Sequence, residues 1–368
     1  MGLSKGRNPL LSGLDRRTML KGAAGLGLAA AMPGNLFAQG STSVTQFIWT
    51  GAQEPVPRRI AEEFMAANPG VSIEIISGTN GATYPKLAAS RDIDPDSPLV
   101  NLGFFNRDAS ERGKLVDMWL PIEEATVPNV AHILPEYRQA GDLGAFFCMD
   151  ACGLVYNTDH FGTSAPDSWE ALFDPALKGK IALFDGLWPG NGLVVLAKLH
   201  GGSEDDIEPA LEIYEKAARD GQFHSFVTSN AQLQQLLVSG EVVLTSHFRG
   251  VALPWAKDGA AIAYAIPQEG QVAFPEGFQL VNGTSEAQLE ACHRLLDISL
   301  SPENVLDYCL TAHVIPLVDN VELPEEVASD PAIQPEAIAS AIQLDYAKIA
   351  ANGPAWADAW NRRVKANM

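Results

Sequence analysis

The residues able to carry covalent, redox or metal chemistry are few and scattered. There are four cysteines, Cys148, Cys152, Cys292 and Cys309. Cys148 and Cys152 lie four apart in an apolar, strand-like stretch, where an extended chain holds them too far apart to bond. Only a tight turn at Met149-Asp150 would change that, so free buried thiols are expected. Cys292 and Cys309 fall in two consecutive predicted helices that could meet, and their pairing is open. A redox Cys-x-x-Cys motif is excluded by spacing. Of the histidines (His132, His160, His200, His224, His247, His293 and His313), none stands at metal-ligand spacing from a second His or Cys except in Cys292-His293. Those two neighbours point in different directions on a helix. The sequence has no phosphate-binding loop ending in Gly-Lys-Ser/Thr, no helical His pair with a Glu, and no Gly-x-Ser-x-Gly elbow. Asp185 and Glu276 would make an acid–base pair only where the fold brings them together. No metal or cofactor is expected and the chain reads as a non-enzyme, with an exported α/β hydrolase or lyase as the distant alternative.

Whatever positions a site here is a chain of 368 residues, 46% hydrophobic, with 25 basic and 45 acidic side chains and a formal net charge of -20. That apolar content supports sizeable cores, and the length suggests two domains. Disorder as the main state is excluded. A pI near 4.7 without a basic stripe argues against nucleic acid. The acidity suits a cationic ligand but equally serves solubility.

The charge is uneven. Residues 1–38 carry five basic residues (Lys5, Arg7, Arg16, Arg17, Lys21) against Asp15, so the remaining 20 basic and 44 acidic residues sum to -24. Arg16-Arg17-Thr18-Met19-Leu20-Lys21, an Ala/Gly/Leu run from Gly22 to Met32, then Pro33-Gly34 and Leu36-Phe37-Ala38, resemble a twin-arginine export signal. The apolar run is shorter than the roughly 20 residues a bilayer requires. A mature protein starting near Gln39 is expected in the periplasm. No Cys near the cut offers a lipid anchor, and no later stretch reads as a membrane span.

Beyond the leader, strand and helix patterns alternate. Val44 to Trp49 reads as a strand, followed by a helix with Pro57 near its start and Ile60, Phe64 and Met65 at helical spacing, stopped by Asn68-Pro69-Gly70. Val71 to Ile76 is a strand, Tyr84 to Ala89 a helix, Leu99 to Phe105 a buried strand: a βαβ pattern. The pattern recurs with a strand at Lys180 to Phe184 and helices from about Gly192 to His200, Ile207 to Asp220 and Asn230 to Ser239. Strands follow at Glu241 to Thr245 and Ala261 to Ile266. Helices close the chain at Leu289 to Leu300, Pro302 to Leu310 and Trp356 to Lys365. Two α/β units are joined near residues 145–157.

Residues 153–181 are distinctive: Gly153-Leu154-Val155-Tyr156-Asn157-Thr158-Asp159, then Pro166-Asp167-Ser168-Trp169-Glu170-Ala171-Leu172-Phe173-Asp174-Pro175, then Leu177-Lys178-Gly179-Lys180-Ile181. With Thr228-Ser229-Asn230, Leu236 to Val242, Pro267-Gln268-Glu269-Gly270 and Leu300-Ser301-Pro302-Glu303-Asn304, this order resembles the solute-binding proteins of ABC importers, in the branch of spermidine/putrescine and ferric-iron binders. The resemblance spans essentially the whole mature chain, although most of these motifs are scaffold. It implies an α/β fold of the type II periplasmic-binding-protein class, two lobes joined by a hinge around an interlobe cleft. Lobe 1 would comprise residues 41–148 plus 279–318 and lobe 2 residues 149–278 plus 319–368. The partners implied are a small-molecule ligand and an ABC permease with its ATPase; the protein is expected to be a monomer.

Polyamine binders of that branch hold ammonium groups with aromatic faces and carboxylates. By resemblance, Trp49-Thr50 at the end of the first strand, Phe274 and Glu276 after Glu269-Gly270, and Asp185 with Trp188 are candidate ligand residues. Ser246-His247-Phe248-Arg249-Gly250 departs from the branch, which carries an aromatic residue there, and His313 stands where it often has Tyr. If Arg249 faces the cleft it favours a carboxylate or phosphonate, so that a zwitterionic ω-amino acid or aminophosphonate becomes the alternative ligand. If it points away it pairs with an acid. Ferric iron is less expected, because the adjacent tyrosines of that branch are missing at Asp307-Tyr308-Cys309.

Overall fold

The computed structural model describes residues 42–51, 53–138, 141–185 and 192–368. The expected leader and Trp188 lie outside them. Strands form where β-branched and aromatic residues cluster: β1 (Thr42–Trp49), β2 (Val71–Gly78), β3 (Leu102–Asn106), β4 (Trp119–Leu120), β5 (Ala145–Asn157), β6 (Ile181–Phe184), β7 (Phe223–Val227), β8 (Leu244–Phe248), β9 (Ile262–Ala265), β10 (Val272–Val281) and β11 (Ile315–Pro316). The helices before β5 are α1 (Pro55–Ala67), α2 (Asn80–Ile93) and α3 (Arg107–Lys114). Between β5 and β9 come α4 (Thr158–Phe161), α5 (Val194–Leu199), α6 (Glu208–Arg219), α7 (Asn230–Ser239) and α8 (Arg249–Lys257). The remainder are α9 (Glu286–Ser299), α10 (Pro302–Ala312), α11 (Glu325–Ala328), α12 (Pro335–Ala339) and α13 (Tyr346–Arg363).

The strands make one sheet in the order β2-β1-β3-β10-β5-β8-β6-β7. Its outer members pair in parallel, β1 with β2 and β3, β6 with β7 and β8. Its two central members are antiparallel to their neighbours. Short parallel strands with helical crossovers must cover both faces, and apolar clusters do lie on both sides. Around β1 and β3, one cluster gathers Phe64, Phe104, Phe147, Leu295 and Tyr308, and another Phe47, Phe105 and Trp119. Around β6 and β8, one gathers Trp169, Leu183, Tyr214 and Trp360, and another Val155, Leu237 and Trp255.

β5 and β10 run through both halves. Met149 and Ala151 pack with the first half, Cys152 and Leu154 with the second. The two strands pair from Val272↔Cys152 to Phe278↔Ala145, with a bulge at Glu276/Gly277. Gly277 is required there, since an added Cβ would lie 2.0 Å from the Ala145 carbonyl oxygen. The final segment also touches both halves: Ile333 and Ala341 pack in the first, Tyr346, Ile349 and Trp360 in the second.

Three elements differ from the sequence expectation. The strand expected at Glu241 to Thr245 runs from Leu244 to Phe248, because Gly240 turns the chain with φ +75° and the Val242 amide still donates back to the Leu236 carbonyl of α7. α2 starts earlier than Tyr84, with Thr79 as its N-cap. α13 starts at Tyr346 and carries Pro354 internally; Asp345 caps it by accepting from the Lys348 amide. All four cysteines are free and buried, the expected state for Cys148 and Cys152, and the open question at Cys292 and Cys309 closes the same way.

Caps also fix how helices leave the sheet. Asn106, the last residue of β3, accepts from the Ala109 amide at 3.0 Å and starts α3 at the end of the strand. Asn106→Ala is expected to lower stability by about 1 kcal/mol in a denaturant melt.

Candidate functional site

The residues of interest collect where β1, β3, β6 and β8 end beside the two central strands. Paired residues on adjacent strands point their side chains to the same face. The registers Phe274↔Asp150 and Glu276↔Cys148 therefore put Phe274, Glu276, Cys148 and Asp150 on one face. Glu276 is 5% exposed and Asp150 7%. Two carboxyl groups at such depth demand partners.

Asp150 has them. Its Oδ1 accepts from the Ala151 amide at 2.8 Å and from the Gly250 amide, in the first turn of α8, at 3.0 Å. Burial pushes its pKa up to about 6, while those two bonds and the charge of Arg249 pull it down. The Glu276 carbonyl accepts from Cys148 Sγ at 3.8 Å, but its carboxyl group makes no hydrogen bond or ion pair among the described residues. Burial first, and the Asp150 charge second, hold its pKa well above the usual carboxylate range. Glu276 opposes Asn106 on β3 and Cys148 on β5. Tyr308 of α10 stands near it, packed against Phe104 and Phe147 with ring centroids 5.4 Å apart in both cases.

Aromatic walls flank this acid pair. Phe274 meets Phe248 edge-on at 5.0 Å and Tyr346 at 6.0 Å. Trp49 is half-buried at the end of β1, edge-on to Phe104 at 5.0 Å, and its indole N–H donates to Asn80 Oδ1 at 2.8 Å. Thr50 is exposed, its amide donating to the Gly78 carbonyl at 3.0 Å. Beside Pro275 a polar cavity of about 160 Å³ opens between Arg107 and Glu111 of α3 and Gln343, Asp345 and Tyr346 before and within α13.

The other sequence candidates have protein partners. Asp185 follows β6, where the Lys365 ammonium binds its Oδ2 at 2.7 Å. His247 is fully buried on β8 against Phe184, ring stacked at 5.0 Å, with Nε2 2.9 Å from Asn230 Oδ1. Burial pushes its pKa down to about 3, so the imidazole is neutral. Arg249 does not present its guanidinium to a ligand: it is 3% exposed, with Nε and Nη2 on Asp330 Oδ2 at 3.1 and 2.5 Å and Nη1 on the His313 carbonyl at 2.9 Å. His313 is the left-handed C-cap of α10, φ 57°, and offers that carbonyl rather than its ring. Asp185 is held by Lys365 and the Glu276 carboxyl group has no partner among the described residues, so no bond joins the two as an acid–base dyad.

Sequence reasoning missed Asp150 and Asp330. Asp150 left a signal, a lone acid inside an apolar run. Asp330 left none, since its bond to Arg249 spans 81 residues. Among the described residues no group of three or more His, Cys, Asp or Glu could hold a metal ion. No helix among them is long and apolar enough to cross a membrane.

A sheet bisected by two crossing strands, with candidate ligand groups at the ends of its parallel strands, is matched by sequence. A family profile described as bacterial extracellular solute-binding protein aligns with residues 59–335. The chain belongs to that family. Spermidine/putrescine-binding periplasmic protein 1 of Haemophilus influenzae is 23% identical to this solute-binding protein over 314 residues, 82% of each chain. The spermidine/putrescine ABC transporter substrate-binding protein PotD from Streptococcus pneumoniae superposes with a TM-score of 0.71 at 16% identity, covering 89% of this chain and 100% of that one. The periplasmic binding protein AfuA from Actinobacillus pleuropneumoniae, solved with fructose-6-phosphate, superposes with a TM-score of 0.68 at 16% identity, covering 89% and 99%. The fold is therefore that of the type II periplasmic binding proteins. The solute-binding protein serves an ABC importer, with a small-molecule ligand and a permease as partners, and its family and relatives are binders rather than enzymes.

Proposed function

We propose that this solute-binding protein captures a small amine of the spermidine/putrescine class and delivers it to the permease of its importer. The observation that carries this reading is Glu276: a carboxyl group buried to 5% exposure, without a protein partner among the described residues, and flanked by aromatic rings. Such a group is costly in the empty protein and is matched by an ammonium ligand, whose charge the ring faces also attract. The printed name of the Haemophilus influenzae relative agrees. The fructose-6-phosphate of AfuA is a poorer match to two buried acids, neither of which is ion-paired with a lysine or arginine among the described residues. The zwitterionic alternative loses its anchor, because Arg249 is held by Asp330. Ferric iron is a poorer match, because Tyr308 stands in an apolar cluster with Glu276 as its nearby acid, short of the several anionic oxygens such an ion requires.

In this reading lobe 1 (41–148 plus 279–318) and lobe 2 (149–278 plus 319–368) close on the ligand by bending β5 and β10 where they cross. Closure is favoured because the ligand touches both lobes only then. Export by the twin-arginine route would place the protein in the periplasm. A thermal-shift screen of putrescine, spermidine, ω-amino acids, aminophosphonates, sugar phosphates and ferric salts tests the reading. A rise in melting temperature with the amines alone is expected; a rise only with a sugar phosphate or Fe(III) overturns it. In the same reading, Lys365→Ala is expected to change stability by less than about 1 kcal/mol, since the ion pair is partly exposed. It should also raise the affinity for spermidine relative to putrescine, Asp185 then meeting the distal ammonium. An unchanged ratio in calorimetry would remove Asp185 from the site.

A further inference from the structure

We infer that Asp150 and Glu276 act as one acid pair that keeps a single proton while the cleft is empty and releases it to solvent when an ammonium group of the ligand takes its place. The inference rests on the amine reading above and adds to it a residue, Asp150, and a proton.

The geometry comes first. The two carboxyl groups are on adjacent strands and one face, diagonal neighbours across the Phe274↔Asp150 and Glu276↔Cys148 pairs. Both are more than nine-tenths buried. Two ionised carboxylates held this way repel each other in a medium that screens poorly, so only one ionises at neutral pH. The proton sits on Glu276, because Asp150 alone has backbone donors, the amides of Ala151 and Gly250, that favour its charged form. The pKa directions agree, with Asp150 near 6 and Glu276 well above the ordinary range.

The surroundings leave the pair to titrate by itself. Cys148 shares its face, Tyr308 and Cys309 approach from α10, and Tyr346 from α13. Burial pushes each of these thiols and phenols upward, so all stay neutral through the range concerned. Of the nearby cations among the described residues, Arg249 of α8 is paired with Asp330 and donates to the His313 carbonyl, and Arg107 of α3, next to the Asn106 that opposes Glu276, is paired with Glu111 at 3.1 Å. No lysine or arginine among the described residues makes an ion pair with either acid.

The exchange balances. Empty, the pair carries one proton and a charge of minus one. Filled, it has lost that proton to bulk water and gained one ammonium, and its net charge is again minus one. The low-dielectric site thus never has to hold two uncompensated charges. Amine affinity should rise with pH while the empty pair keeps its proton, by up to about tenfold per pH unit. A binder that meets its ligand with an already ionised acid would show no such slope.

Two measurements on the whole mature protein test this. Difference infrared spectroscopy of the empty protein at pH 7 should show the carbonyl band of a protonated carboxyl group, absent from Glu276→Gln and titrating at lower pH in Asp150→Asn, where the repelling charge is removed. Calorimetry with putrescine in buffers of different ionisation enthalpy should show about one proton released per ligand at pH 7. Absence of the infrared band in the wild-type protein, or its persistence unchanged in Glu276→Gln, overturns the acid pair. Putrescine binding without proton release overturns the exchange while leaving the amine reading intact. The band without any response to putrescine, spermidine or an ω-amino acid overturns the exchange through the failure of the amine reading itself.

Discussion

Glu276→Gln is expected to weaken amine binding by about 10²-fold or more, the usual consequence of removing one member of a buried charged pair, and to leave the fold at least as stable as before. The two effects separate because the side chain has no partner to lose among the described residues. In the empty protein it is a neutral carboxyl group, and glutamine has the same shape. The sign of the pH effect is fixed by the direction of the shift. A carboxyl group whose folded pKa is raised makes the folded state the better proton binder above its unfolded value, so stability falls as pH rises from the ordinary Glu range through the folded titration. Glu276→Gln lacks that slope, and its advantage over wild type should widen from pH 5 to pH 8. Melting curves across that range check the stability arm and calorimetry with putrescine checks the affinity arm. Unchanged affinity would take Glu276 out of the site.

Arg249→Met should destabilise the protein by about 3 kcal/mol, the scale for breaking a buried ion pair from one side. The Arg249 side chain is 4% exposed and Asp330 24% exposed, so Asp330 is left with little water to replace the guanidinium. The same arginine also ties the start of α8 to the C-cap of α10 through the His313 carbonyl, joining segments 64 residues apart in sequence. Loss of its charge removes the influence that helps keep Asp150 ionised, and Asp150 should titrate higher than about 6. A denaturant melt of Arg249→Met, Asp330→Asn and the double variant isolates the coupling, which should exceed 1 kcal/mol. A coupling near zero would mean that solvent replaces either partner without cost. Lysine at 249 should recover only part of the stability, because an ammonium cannot reach Asp330 Oδ2 and the His313 carbonyl with the same fork.

Much of the scaffold was legible because local signals agree with the global fold. Val71 to Ile76 alternates and forms a strand; Asn230 to Ser239 carries Leu233 and Leu237 on one face and stops at Gly240, in the left-handed conformation. The resemblance carried by Gly153 to Lys180 led to the right family. The site was less legible. Trp49, Phe274 and Glu276 became candidates through that resemblance, while Asp150 was passed over as part of an apolar, strand-like stretch. A buried acid inside a strand breaks the local rule, and such breaks concentrate where function overrides stability. The orientation of Arg249 was undecidable from spacing, since its partner lies in a distant segment with no periodic link to it. α13 was expected only from Trp356, yet tertiary packing of Tyr346 and Ile349 extends the helix upstream through Pro354.

The four buried thiols give the molecule a set of internal clocks. Cys148 marks the crossing of the central strands, Cys152 the second half of the sheet, Cys292 and Cys309 the helices over the first. Burial holds Cys148, Cys292 and Cys309 in the unreactive protonated form, with Cys292 pushed up to about 12. Each therefore reacts with an alkylating reagent only during the moments when its own neighbourhood opens. Timed labelling followed by peptide mass analysis would then rank the regions by how often they breathe, without introducing any foreign probe. Ligand should slow the Cys148 clock most, because it bridges the place where the halves part company.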